Sequence, residues 1–204
     1  MSGLAPPEPV ASALDRVWEA MARPGTWWSG VDRVALARVA RATRSRREAV
    51  TSLPEAAVDA ARWLSVDAGG IRAPFVDGLV QRGLSRVAYV EIIGVVSRLA
   101  AVDGYVLGIG GPEVPLPDPL GGEPSRLDES TASLGAGWVP MVGPGSAPTA
   151  LSSVPSEHAA QEDLHAALYL AYGEMVDIQY RAAIDRAQME LVAARVSFLN
   201  ECFY

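Results

Sequence analysis

From Gly104 to about Pro155 the chain sustains neither a helical nor a strand period, and this interruption constrains the fold more than any other feature. Glycines and prolines crowd it, with PLPDP at 115–119 and GPG at 143–145. Such a stretch reads as a long connection between two helical parts. Its one apolar anchor is Trp138, Val139, Pro140 and Met141. On either side, apolar residues recur at helical spacing. Leu14, Val17, Trp18 and Met21 share one face of a predicted helix over 13–21, with Ser12 as its N-cap. Val31, Val34, Ala35, Val39 and Ala42 mark a second, over 31–42. A third opens at Pro54 and runs to about Leu64, and a fourth runs from Ala73-Pro74 to about Arg82, before Gly83. Ser85 caps a long fifth over 86–103. Beyond the connection, helices are predicted over 156–172, continuing past Gly173 to Gln179, and over 184–199. No segment alternates as a strand does, so the predicted class is all-α.

Charge and composition exclude several functions. Seventeen basic residues stand against 24 acidic ones, a net charge of −7, which argues against nucleic acid as a partner. The most apolar run, Tyr89 to Leu107, is broken by Glu91, Arg98 and Asp103, so no membrane span is expected. The opening MSGLAPPEPV lacks the basic and apolar regions of a signal peptide. One cysteine excludes an internal disulfide and fits a reducing, cytoplasmic setting. With two histidines and one cysteine, neither a structural zinc site nor any other cofactor is indicated.

The candidate chemistry lies in ELVAARVSFLNECFY, residues 190–204, which holds the lone thiol, Cys202. Glu190 stands twelve positions earlier, roughly 18 Å away if the helix were unbroken. A helix end near Asn200 would bring the chain back and set Cys202 in the first turn of a following helix. There the unpaired amides and the dipole stabilise a thiolate. Glu190 would then accept or relay a proton. The competing reading is that Cys202 is packing, the commoner fate of a lone cysteine near an apolar helix.

Gln188 to Tyr204 resembles the start of the core motif of the alkylhydroperoxidase D-like, or carboxymuconolactone decarboxylase-like, family. In its peroxidase branch a glutamate precedes the first cysteine of a Cys-x-x-Cys pair by twelve positions, and a histidine follows the second. The resemblance implies an all-α alkylhydroperoxidase D-like bundle, with Cys202 as the first cysteine and Glu190 in the proton relay. It also implies a peroxide substrate, a thiol reductant and assembly as a homo-oligomer. The second cysteine and the histidine would fall past Tyr204, so little peroxidase turnover is expected of this chain. The alternatives are a non-catalytic helical scaffold or oligomerisation protein, and a cysteine-independent decarboxylase- or lactonase-like branch.

A fainter copy of the motif lies upstream. Val34 to Val39 laid over Leu191 to Val196 aligns Arg38 with Arg195, Arg33 with Glu190, Ser45 with Cys202 and Glu48 with the missing second cysteine. The expected organisation is therefore a degenerate helical unit over 11–110, a Gly/Pro-rich connection over 111–155, and the first half of a second unit over 156–204. Other features have plainer readings. Arg38, Arg41, Arg44, Arg46 and Arg47 suit an anion, or a solvated helix end. His158, Glu162 and His165 share a helical face that is more often merely polar than metal-binding. Glu91, inside an apolar helix, is either a buried partner for an arginine or the remnant of a site.

Overall fold

The computed structural model describes residues 4–135 and 137–199. Among them are eight α-helices and no strand; one isolated bridge joins Ser133 and Met141. The class is all-α, as the periodicity predicts. The chain divides between Ala167 and Leu168 into two compact units.

In the first unit, α1 (Glu8–Ala22) buries Ala13, Val17 and Met21 at intervals of one turn. It begins before Ser12: Pro9 tolerates the first turn, and the Ser12 hydroxyl donates to Glu8 at 2.8 Å rather than capping. α2 (Gly30–Arg44) opens with a capping box, in which Ser29 accepts from the Asp32 amide and Asp32 accepts from the Ser29 amide. Its far end closes on Arg46, whose φ of 53° is left-handed, while the amides of Arg46 and Arg47 bond Thr43 and Ala42. That position ordinarily belongs to glycine. α3 (Glu55–Val66) buries Ala56, Ala57, Ala60 and Ala61. This alanine face lets it lie close to both α2 and α5. α4 (Ala73–Gln81) packs on α3. α5 (Arg86–Gly108) is the central helix, capped by Ser85 and packed against α1, α2 and α3. Its apolar residues Ile92, Val95, Val96 and Leu99 join Leu36, Val39 and the α3 alanines in one core.

Residues 111–154 form a strap bound back onto this bundle rather than a free linker. The Leu120, Ser125 and Arg126 amides donate to the carbonyls of Ala22, Gly25 and Thr26 at 2.8–3.0 Å. The Trp18 indole donates to Pro115 at 2.8 Å. Gly30 is required where the strap passes, since a Cβ there would meet the Ala22 and Leu120 backbone. Val139 and the buried Met141 do anchor the strap, whereas Trp138 is 40% exposed. Leu151, Val154 and Val90 then form a second small core that receives α6 (Pro155–Leu168).

The predicted helix to Gln179 does not continue. A new short helix, α7 (Tyr172–Val176), starts instead because the Glu174 carboxylate caps the Ala171 amide at 2.9 Å. α8 (Arg186–Leu199) begins where Asp185 and Gln188 cap one another's amides, each at 2.9 Å. None of its residues is buried.

Candidate functional site

The most concentrated chemistry in the described chain is a buried quartet of charges joining α2, α5 and α6. Arg33, Glu91, Arg98 and Glu157 each expose 3% or less of their side chains. The helical period explains why they meet: Glu91 and Arg98 lie two turns apart on the face of α5 that also carries Val95 and Val102. Arg33 Nη1 donates to Glu91, and to Glu157 at 2.7 Å. Arg98 Nη2 donates to the other Glu157 oxygen, and its Nη1 reaches the Glu157 carbonyl at 3.2 Å. The second oxygen of Glu91 accepts the Trp27 amide at 2.6 Å, and Arg33 Nη2 reaches the Ala20 carbonyl at 3.3 Å. Arg33 Nε is the one guanidinium nitrogen of the quartet buried with no partner among the described residues.

The two carboxylates are in different electrostatic situations. Burial alone would push Glu157 up, but Arg98 and Arg33 together outweigh it and hold the group below the ordinary carboxylate range. Burial pushes Glu91 up, and Arg33, its only guanidinium partner among the described residues, is shared with Glu157, whose charge repels it. Arg33 loses to burial but gains more from the two glutamates, so it remains a cation. The quartet is neutral in sum and sealed by glycines. A Cβ on Gly25 would collide with Glu91 and Arg33, and one on Gly94 would lie 3.1 Å from Glu157 Cδ. A site so closed can hold helices together and store opposed charges, but it offers a substrate no approach.

Glu91 is thus a buried partner for an arginine, one of the two roles its position suggests. Arg33 and Glu157 were not separable in sequence from surface charges. Glu157 lies in the first turn of a polar helix, where acidic residues are routine. Arg98 had a signal: two turns after Glu91, it completes a charged pair on an apolar helix.

The sequence-predicted redox residues lie elsewhere. Glu190 is exposed on α8 and pairs with Arg186 at 2.5 Å. Cys202 and the helix end at Asn200 lie outside the described residues, so the pair is not brought together among them. Ser45, which the expected repeat would set opposite Cys202, is the exposed C-cap of α2. Among the described residues, no three His, Cys, Asp or Glu side chains converge as a metal site, and no helix is long and apolar enough to cross a membrane. Compared with family models, curated proteins and solved structures, the chain finds no match.

Proposed function

We propose that this chain is a helical scaffold of alkylhydroperoxidase D-like type, in which the first unit has exchanged redox chemistry for structure. The observation that carries this reading is the sealed quartet. In the internal repeat Arg33 stands opposite Glu190, so the position of a proton-relay carboxylate is held by a guanidinium locked between Glu91 and Glu157. Ser45, opposite Cys202, is a hydroxyl at a helix C-terminus, where the dipole opposes an anionic nucleophile. Exposed apolar side chains on α8, among them Leu191, Val192 and Phe198, support assembly with further copies.

The rival reading is peroxidase chemistry at Cys202, favoured by its spacing from Glu190. There the thiolate sulfur attacks a peroxide oxygen, the O–O bond breaks, and the leaving alkoxide takes a proton relayed by Glu190. With one cysteine the resulting sulfenic acid has no partner within the chain. An added thiol must condense with it, releasing water, and a second thiol must free the mixed disulfide. The scaffold reading predicts no thiol-dependent peroxide consumption above the thiol's own background, and no change in Cys202→Ser. Catalytic consumption that disappears in Cys202→Ser would replace it with the peroxidase reading.

A further inference from the structure

The arginines at the end of α2 are only partly neutralised. Arg41 and Arg44 share one carboxylate, Asp103, and Arg41 also lies 3.6 Å from the largely exposed Glu113. No carboxylate among the described residues lies within 4.0 Å of Arg38, Arg46 or Arg47. Counting Glu48, five cations face three anions at one helix end, in a chain of net charge −7. Attraction to the helix C-terminus accounts for Arg41 and Arg44, which lie in its last turn. That attraction decays within a turn and does not account for Arg47, which lies beyond the helix. The left-handed backbone at Arg46 closes α2 and leaves Arg47 beyond its end.

Arg38, Arg41 and Arg47 line an open groove of about 510 Å³, whose remaining surface includes Pro115 and Leu116 of the strap, and Val50. Glu48 and Glu113 also border it. We propose that this groove binds an organic anion with one phosphate or carboxylate head and an apolar tail. The head sits between Arg38 and Arg47, where guanidinium geometry suits either group. The tail lies along Pro115, Leu116 and Val50, where its burial adds affinity. Glu48 and Glu113 disfavour a second charge, so polyanions are excluded. This inference does not rest on the scaffold or the peroxidase reading.

Titration calorimetry of the full chain with hexyl phosphate, hexanoate, hexanol and inorganic phosphate tests it. Saturable binding of hexyl phosphate or hexanoate is expected, weakening as salt rises, with hexanol and inorganic phosphate at least about tenfold weaker. Arg38→Ala and Arg47→Ala should each weaken the better ligand about tenfold or more, and Arg82→Ala, on a distant surface pair with Asp59, should not. Arg38 and Arg47 are exposed, so their removal leaves the core intact, and the salt dependence is read on the unaltered chain. Absence of saturable binding, equal binding of hexanol, or affinity unchanged in both variants would overturn the proposal.

Discussion

Glu91 and Glu157 have the same functional group and titrate in opposite directions, because one shares a single guanidinium and the other faces two. Replacing Glu157 by glutamine leaves Arg98 buried without a counter-charge, which costs about 3–5 kcal/mol. The pH dependence separates the two groups. Glu157 has a lowered folded pKa, so its stabilisation is present above the ordinary carboxylate value and is lost as pH falls through the folded one. The penalty of Glu157→Gln should therefore grow as pH rises from the folded value to the ordinary carboxylate value and level off above it. Glu91 has a raised folded pKa, so folding loses stability as pH rises from the ordinary value through the folded one. The penalty of Glu91→Gln should shrink over that range. Urea denaturation of both variants and the unaltered chain from about pH 2.5 to 7 reads both windows, below the ordinary carboxylate value for Glu157 and above it for Glu91, and parallel trends would contradict the assignment. Sequence alone exposed Glu91, because a carboxylate amid Tyr89, Val90, Ile92 and Ile93 demands a partner. It did not expose Glu157, because nothing in PSEHAAQEDLHAAL separates a buried glutamate from a solvated one.

The helices themselves were legible wherever one face had to be buried. α2 through α5 appear close to their predicted spans, with Ser85 as the predicted cap of α5. The differences lie where local hydrogen bonds decide a boundary, as when Glu174 caps Ala171 and opens a new helix after α6 stops at Leu168. The strap was legible as irregular, but not as packed, because backbone bonds such as Leu120 to Ala22 leave no mark in residue type. Within α5 two glycines should behave oppositely on replacement by alanine. At Gly104 a Cβ meets nothing within 4 Å, so Gly104→Ala should gain about 0.5–1 kcal/mol of stability from helix propensity. At Gly94 the Cβ meets the Glu157 carboxylate held by Arg33 and Arg98, so Gly94→Ala should destabilise despite the same propensity gain. Thermal or urea unfolding of the pair checks the signs, and a stabilised Gly94→Ala would show that the quartet yields easily.

At the scale of the molecule, the boundary after Ala167 divides a unit with a continuous core from one whose last helix buries nothing. Limited trypsin digestion should therefore cut first at Arg181, in the exposed turns between α7 and α8. Arg126 should resist, since the strap is bonded there to Thr26 and its guanidinium lies 5.3 Å from the Trp27 ring. Mass spectrometry of the first fragments decides it, and early cleavage at Arg126 would mean that the strap opens readily. Division of this kind was the least legible feature, because the sequence shows which faces are apolar but not which of them find a partner. The quartet also sets an order of assembly. Arg98 leaves the ribosome before the glutamate that neutralises it, which lies 59 residues further on. At roughly 5–20 residues per second, that is about 3–12 s in which α5 carries a cation with no counter-charge for its interior. The five-helix bundle therefore cannot close over Arg98 as it is made. Its last act of folding waits for α6, and a nascent chain stalled before Glu157 should hold its central helix open to water.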